Sequence, residues 1–269
     1  MKIINNTRLI KRRAKVAQIF NVGGIAVLGI GLAISLLRPQ YSLYTLILLI
    51  IGVAASQYGI ANAYRYARKP RPDEELADAL KGLDDRHRLY NYILPAYHVL
   101  LTPRQLYVLI SRGLGGKIVC EGRKWHLERR FSLGRILRVF NPENLGNPVR
   151  EAEWDKEALE EWLRQHAQDV QASVEAMVVF TNPQVDLDLR NPVVRPIKAK
   201  SLKDSLRKSD GAGLSSEDYR KLAAAFEEAA RKAGEGQEAA RKAPPPPEEK
   251  TAEASKPAPT TANKRRTRK

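Results

Sequence analysis

Cysteine is almost absent from this sequence, and Cys120 is the only one. A single cysteine excludes an internal disulfide and fits a reducing, cytoplasmic compartment. Histidine is scarce too. The four histidines, His87, His98, His126 and His166, share no metal-ligand spacing with one another or with Cys120. The sequence therefore predicts no metal site built from histidine and cysteine.

Acidic residues are also in short supply, because 30 Asp and Glu face 46 Lys and Arg, for a formal net charge of +16. The basic excess is concentrated near the N-terminus, in one stretch after residue 112 and in the last few residues. Such clusters attract phosphate-bearing partners, which include nucleic acids and anionic lipids.

Charge is missing altogether from two long apolar runs, Ala17–Leu37 and Tyr41–Tyr64. Each run is long enough to cross a bilayer core as a helix, which takes about 20 residues. Only a short turn that carries Arg38 separates them, so the two runs are predicted to form a membrane hairpin. Basic residues are frequent in segment 1–16, which precedes the first run, and others follow the second run. The positive-inside rule then predicts a multi-pass protein of the cell membrane with both termini in the cytoplasm.

Small residues recur four apart within the apolar runs, for example Gly52 with Ser56 and Gly59 with Ala63. This spacing lets helix backbones approach closely in lipid. It serves either the packing of the two helices on each other or an oligomerisation face, and the sequence leaves both open. No ionisable residue lies at the middle of either run, which argues against an ion carrier.

The rest of the chain divides by composition into three segments. Residues 73–207 have the size of one domain, and their order of helix, strands, helix and strands predicts an α/β domain around one sheet. Residues 215–233 predict a charged helix with Leu222 and Phe226 as apolar anchors. Residues 234–269 are mostly Ala, Pro, Glu, Lys, Arg and Thr, which predicts a disordered, basic tail.

One part of the soluble segment resembles a known family. The stretch Tyr97–Arg112, followed by Gly116–Ile118 and Trp125, is similar to the nuclease-related (NERD) domain, a branch of the PD-(D/E)XK nuclease-like fold. That family has a strand that opens with Asp-His, a Gly-Pro turn, and an apolar strand that ends Glu-x-Lys. The resemblance covers about residues 73–207 and implies a restriction-endonuclease-like α/β fold.

The resemblance fails at the residues that carry the family's chemistry. That chemistry needs two carboxylates on a divalent metal and a lysine beside the developing charge. The family's aspartate falls on Tyr97, its glutamate on Ile110 and its lysine on Arg112. Tyrosine and isoleucine are not ligands for a hard cation, whereas Arg112 still suits a phosphate. No catalytic residue and no metal site are therefore predicted.

A metal site rebuilt around other carboxylates is the alternative. Asp73 and Glu74 are its candidates, since they fall where the family has its opening acidic helix. Asp84, Asp85 and Glu121 lie near the right elements, although each of them also suits a turn. Such a site would use Mg²⁺ or Mn²⁺, and without it no cofactor is expected.

A basic stretch inside the domain is the remaining functional signal. Bases interleaved with aromatic residues suit a phosphate backbone, but they equally suit anionic headgroups or an ordinary solvated surface. The sequence leaves these three interpretations open. The phosphate-binding candidates are Arg112, Lys117, Arg123, Lys124, Arg129 and Arg130, and the stretch continues to Arg135 and Arg138.

The sequence thus favours a membrane-anchored, cytoplasm-facing, nuclease-like domain that has lost its metal site and binds nucleic acid or anionic lipid. Two alternatives come from other functional classes. One is a membrane-tethered, metal-dependent nuclease with relocated acids. The other is a scaffold for a protein partner.

Overall fold

The fold is described from a computed structural model, which covers residues 1–128, 145–208 and 213–242. For residues 235–242 only the backbone is described. The candidates Arg129 and Arg130 lie outside the described residues, as do Arg135, Arg138 and the predicted tail from residue 243 onward.

Two long helices form an antiparallel hairpin. Helix α1 spans Thr7–Leu37 and helix α2 spans Ser42–Tyr66, and a 3-10 turn at Pro39–Tyr41 joins them. Both are long and apolar enough to cross a membrane. Their apolar side chains face outward, so that Ile25 is 67% exposed and Leu36 is 74% exposed. A core helix of a soluble protein buries such side chains, and this surface instead suits contact with lipid.

Small residues hold the two helices together. A Cβ atom on Gly24 would lie 2.3 Å from Ser56 Oγ, and one on Gly59 would lie 2.7 Å from the backbone nitrogen of Asn21. Neither position has room for a side chain. Gly29, by contrast, has nothing within 4 Å of its added Cβ. Of the two interpretations of the small residues, packing between the helices is the one seen at Gly24 and Gly59.

The chain enters the hairpin directly from a strand of the soluble domain. Strand β1, Lys2–Asn5, pairs in parallel with strand β2, Arg88–Asn91. Residues 1–16 are therefore not a separate basic segment, because β1 belongs to the sheet and α1 begins already at Thr7. The helix start is fixed by Asn6, whose side-chain oxygen accepts a hydrogen bond from the backbone of Leu9 at 3.0 Å.

The soluble domain is of mixed α/β type, but it contains two sheets rather than the predicted one. Its further elements are α3 (Pro72–Ala79), β3 (His98–Leu101), β4 (Leu106–Arg112), β5 (Gly116–Glu121), β6 (Lys124–Glu128), α4 (Pro148–His166), β7 (Val174–Phe180), β8 (Val185–Arg190), β9 (Arg195–Lys198), α5 (Ala199–Arg207) and α6 (Ser216–Lys242). The larger sheet has the order β1-β2-β3-β4-β7-β9, and the smaller has the order β6-β5-β8.

The glycine-rich loop between β4 and β5 separates the two sheets. Gly116 has a φ of +99°, which side chains rarely adopt, and it begins the first strand of the smaller sheet. The chain therefore leaves the larger sheet at Arg112 instead of continuing it.

Strand β4 lies at the centre of the core and is buried on both faces. Leu106, Val108 and Ile110 belong to the apolar cluster that includes side chains of α4 and α6. Tyr107 and Leu109 belong to the opposite cluster, which includes side chains of α3 and α5. This alternation follows from the two-residue repeat of a strand, and it explains why β4 is almost continuously apolar.

Helix α6 is part of the domain. Leu222 and Phe226 are fully buried in the core, as expected of its anchors, and the Phe226 ring lies edge-on to Tyr90 with 5.2 Å between centroids. The next residue, Glu227, accepts a hydrogen bond from Arg88 of β2 at 2.5 Å. Apolar burial and an ion pair together attach α6 to the sheet.

The same helix is longer than predicted. Composition predicts an end at Ala233 and a disordered segment from 234, yet the backbone stays helical to Lys242. Gly234 and Gly236 weaken a helix, but the other residues of this stretch are alanine, glutamate, glutamine, lysine and arginine, which are all good helix formers.

Candidate functional site

The three positions at which the sequence departs from the nuclease pattern lie together. Strands β3 and β4 are antiparallel neighbours, so the residue that precedes β3 comes close to the end of β4. Tyr97, Ile110 and Arg112 consequently line one pocket of about 190 Å³.

The last turns of α2 form the opposite wall of this pocket, which we call the α2 pocket. Ala61, Tyr64 and Arg65 all line it. The guanidinium carbon of Arg65 lies 4.3 Å from the centroid of the Tyr97 ring, within the range of a cation–π contact. A membrane-length helix and the β3–β4 pair therefore build this site jointly.

Tyr92 fastens the hairpin to the domain beside the pocket. Its φ of 60° is in the left-handed region, which costs a non-glycine residue about 1–2 kcal/mol. Its ring packs against Tyr66 of α2 at 5.2 Å and against His98 at 5.0 Å, and its hydroxyl donates to the Arg65 carbonyl at 3.3 Å. Ile10 of α1 completes the cluster. These contacts hold the strained backbone in place.

Glu151 of α4 lies between the two arginines of the α2 pocket. One carboxylate oxygen accepts a hydrogen bond from Arg112, and the other lies 3.8 Å from Arg65 Nη2. Arg112 also donates to the carbonyls of Leu145 at 3.3 Å and Ser111 at 3.0 Å, which fix its position. The site thus surrounds one carboxylate with two guanidinium groups, and guanidinium forks match carboxylate and phosphate oxygens.

Asp155 lies one turn further along α4. Burial raises the pKa of its carboxyl to about 6, and the negative charge of Glu151 adds to the effect. A hydrogen bond with the backbone of Tyr97 and the charges of Arg65 and Arg112 oppose it. The Oδ2 atom of Asp155 is buried without a hydrogen-bond partner among the described atoms. Asp155 is therefore a second carboxyl group close to the pocket, and its pKa of about 6 lies near neutral pH.

His98 lines the same pocket but serves the sheet. Its Nδ1 lies 2.8 Å from Asn91 Oδ1, and Asn91 Nδ2 donates to Asn5 Oδ1 at 2.7 Å. An amide oxygen only accepts, so Nδ1 carries the proton. Burial lowers the pKa of His98 to about 3 and keeps the ring neutral. The chain of bonds crosses β3, β2 and β1, which makes His98 a structural residue.

The family is identified by comparison with family models. Residues 71–181 match the model of the nuclease-related domain, NERD. The chain contains a nuclease-related domain. The match runs from α3 to the end of β7 and confirms the resemblance that the sequence suggested. Comparisons with curated proteins and with solved structures gave no match.

The acids at the start of the nuclease-related domain are used by its fold. Asp73 is 1% exposed and accepts two hydrogen bonds from the Arg71 guanidinium, at 2.9 and 3.0 Å. Glu74 accepts from the backbone nitrogen of Arg71 at 3.0 Å and caps α3. Neither residue lines the α2 pocket. Glu75, which the sequence analysis passed over, reaches further and accepts from the Thr181 hydroxyl at 2.7 Å.

The other carboxylates considered from sequence lie in turns or on a strand end. Asp84 is hydrogen-bonded by Arg86, which holds the pKa of that carboxyl below its usual range. Asp85 lies beside it, and Glu121 ends β5 opposite Lys124. Within the described part of the chain, no group of three or more His, Cys, Asp or Glu residues is arranged to hold a metal ion.

Three of the described bases of the basic stretch, Arg112, Lys117 and Arg123, form ion pairs with acids. Lys117 Nζ lies 2.7 Å from a Glu128 oxygen, and Arg123 makes two bonds of 2.6 and 2.5 Å to Glu153 of α4. Strand register places acids and bases together on the outward face of the smaller sheet. Its charged residues are Lys117, Glu121, Lys124, Glu128, Asp186, Asp188 and Arg190. A phosphate-binding role for the described bases other than Arg112 stays a prediction.

Sequence reasoning found Arg112 but missed the residues around it. Arg65 was counted only as a charge that flanks the second apolar run, although it is the first charged residue after that run. Glu151 and Asp155 are four residues apart, a spacing that brings two side chains onto one face of a helix. This spacing predicts that their carboxyl groups lie close together.

Proposed function

We propose that this chain is a membrane-anchored nuclease-related protein that binds an anionic ligand at the membrane face of its domain and does not cleave nucleic acid. One observation carries the proposal. Tyr97, Ile110 and Arg112 occupy the positions at which the family pattern has its aspartate, glutamate and lysine. They line one pocket together with the end of α2.

The residues of the α2 pocket do not fit a divalent cation. Mg²⁺ and Mn²⁺ require several oxygen ligands, preferably anionic ones. Among the described residues that line the pocket, Glu151 is the single carboxylate, and Arg112 already binds it. The positive charges of Arg65 and Arg112 repel a metal ion and attract an anion. We therefore assign no hydrolytic step to this site.

The position of α2 also limits access. A nuclease cleft must admit a polynucleotide backbone together with its metal. Here a pocket of about 190 Å³ is closed on one side by Ala61, Tyr64 and Arg65. Such a space suits a small phosphate group better than a polynucleotide.

The distribution of basic residues supports a cytoplasmic location for the domain. Strand β1 leads into α1 and the rest of the domain follows α2, so both ends of the hairpin meet the domain. The turn between the helices carries only Arg38. Five bases precede the first apolar run within α1, and they are Arg8, Lys11, Arg12, Arg13 and Lys15. The positive-inside rule then places the domain in the cytoplasm.

A cleavage assay on the full chain in detergent tests the proposal. Plasmid DNA and RNA are incubated with the protein in Mg²⁺ or Mn²⁺. A Glu151→Gln/Asp155→Asn double variant, purified in parallel, controls for contaminating nuclease. We expect no cleavage above the level of this variant. Cleavage by the native chain that is lost in the variant would show that these two carboxyl groups form a relocated metal site, and the proposal would be wrong.

A further inference from the structure

We infer that the α2 pocket binds the phosphate of an anionic phospholipid headgroup, with Arg65 and Arg112 as its ligands and Glu151 as their resident counter-ion. The inference rests on the proposed function, because it requires that the hairpin crosses a membrane. It goes further by naming the chemical class of the ligand and the residues that hold it.

The level of the α2 pocket relative to the membrane supports a lipid as its ligand. Helix α2 has 25 residues, and at about 1.5 Å per residue it is longer than a hydrocarbon core of about 30 Å. Arg65 is the first charged residue after the apolar run, so the last turn of α2 emerges where headgroups lie. Tyr64, just before it, is a residue type that favours this interface.

Helix α1 independently places the pocket at the same level relative to the membrane. Gly59 of α2 lies against Asn21 of α1, and the two helices run in opposite directions. Arg65 follows Gly59 by about six residues along α2, and Lys15 precedes Asn21 by the same number along α1. The first bases that flank the two apolar runs therefore lie at one level, as expected at the boundary between hydrocarbon and headgroups.

The geometry of the charges suits a phosphate. The two oxygens of Glu151 face different arginines, so this carboxylate marks a position where one anion contacts both guanidinium groups. Its side chain is 28% exposed, and its distance of 3.8 Å from Arg65 is an ion pair without a hydrogen bond. Glu151 also lies in the first turn of α4, where the helix dipole favours negative charge. A phosphate oxygen entering here gains charge-assisted hydrogen bonds.

The lining changes from apolar to polar across the pocket. Ala61 and Tyr64 come from the end of the apolar run, whereas Arg65, Arg112 and Glu151 carry the charges. A lipid has the same division, with a charged phosphate beside apolar chains. A nucleic acid has no aliphatic chains that would lie along the α2 wall.

Native mass spectrometry of the full chain in non-ionic detergent tests the inference. Bound lipids are counted while phosphatidylglycerol or phosphatidylcholine with identical acyl chains is added. We expect a preference for phosphatidylglycerol. Arg65→Gln and Arg112→Gln should each weaken its binding about tenfold, in line with the loss of a charge-assisted hydrogen bond.

A matched control is provided by Arg164→Gln. Arg164 is also an arginine paired with a glutamate of α4, Glu161, but it does not line the α2 pocket. Its replacement should leave lipid binding unchanged. Equal losses in Arg164→Gln and Arg112→Gln would show that net charge alone attracts the lipid, and would overturn the inference.

The variant Glu151→Gln distinguishes a ligand site from a structural ion pair, because only a ligand site should bind phosphatidylglycerol more strongly without this carboxylate. Glu151→Gln keeps the size of the side chain and one acceptor oxygen but removes the competing charge. We expect it to strengthen phosphatidylglycerol binding, and a loss or no change would contradict its role as counter-ion.

Soluble competitors identify the source of the phosphate. Glycerol 3-phosphate and a single-stranded oligonucleotide are added at equal phosphate concentration, and neither should displace the lipid. Displacement by either, or no lipid preference at all, would overturn the inference. If the chain also failed to cleave nucleic acid, the proposed function would still stand.

Discussion

The guanidinium group of Arg65, at the end of a membrane-length helix, lies 4.3 Å from the centre of the Tyr97 ring. Tyr97 occupies the position at which the nuclease-related family has its strand aspartate. An aspartate there would attract a metal ion, whereas the tyrosine instead offers an aromatic face to an arginine of the hairpin. Through this contact Tyr97 joins the hairpin to the domain.

Close packing in the hairpin is tested by Gly59→Leu. Its Cβ would lie 2.7 Å from the backbone nitrogen of Asn21, so we expect a loss of about 1–3 kcal/mol in the free energy of unfolding. Gly29→Leu is the matched control, because nothing lies within 4 Å of that position. Thermal unfolding of the full chain in detergent measures both variants. Equal losses would contradict the packing described for the two helices.

The structural role of Asp73 is tested by Asp73→Ala. Arg71, 18% exposed, would lose its bidentate partner and keep only Glu74, so we expect a loss of about 3 kcal/mol in stability. Asp78→Ala, at an exposed position of the same helix, should change stability little. Denaturant unfolding compares the two variants. A fully stable Asp73→Ala variant would mean that this acid is free for another role.

The raised pKa of Asp155 predicts a pH dependence of stability. Its pKa is about 6 in the folded chain, against 3.8 for an aspartate without such surroundings, so the folded state binds more protons between these pH values. Stability from this group is therefore present below about pH 4 and is lost as pH rises through 6. Asp155→Asn should gain in unfolding temperature relative to the native chain from pH 4 to pH 7.

The control for this pH dependence is Glu157→Gln, at an exposed position of the same helix. It should follow the native chain at every pH. If the difference between Asp155→Asn and the native chain did not change with pH, the carboxyl would have an ordinary pKa and an open environment.

The attachment of α6 is tested by Phe226→Ala. Phe226 is fully buried against Tyr90 and Trp162, so truncation should cost about 3–5 kcal/mol of stability. Glu228→Ala removes only a surface ion pair with Lys232 and should cost well under about 1 kcal/mol. Similar unfolding midpoints for the two variants would show that α6 is not part of the cooperative core.

Local patterns predicted much of this fold, because apolar periodicity and turn residues act over short distances. The β5–β6 hairpin around Gly122 is of this kind. Strand β1 was missed because its partner, Arg88–Asn91, lies beyond the whole hairpin in sequence. Helix α4 begins at Pro148, well before the apolar residues Leu159 and Leu163 of its second half. The cap formed by Asn147, with proline in the first turn, is the better signal.

The candidate site was predictable only in the part that the family pattern covers. Tyr97, Ile110 and Arg112 follow from the pattern, and the structure brings them together. Arg65 and Glu151 join them from helices that the motif does not include. Charge counting alone does not show the acids beside the basic stretch, because only strand register places Glu121, Glu128 and Asp188 among its described bases.

The position of the α2 pocket among lipid headgroups is tested most directly by fluorescence quenching in vesicles. Ser111→Cys, in the pocket lining, carries the fluorophore, while Cys120 is buried and its raised pKa of about 12 keeps the native thiol unreactive. Ile25→Cys, in the middle of α1, reports insertion through lipids with a nitroxide near the chain end. We predict strong quenching at Ser111 by a headgroup nitroxide and little by the deep one. A label at Ser111 that neither nitroxide quenches, in a chain inserted at Ile25, would contradict the account.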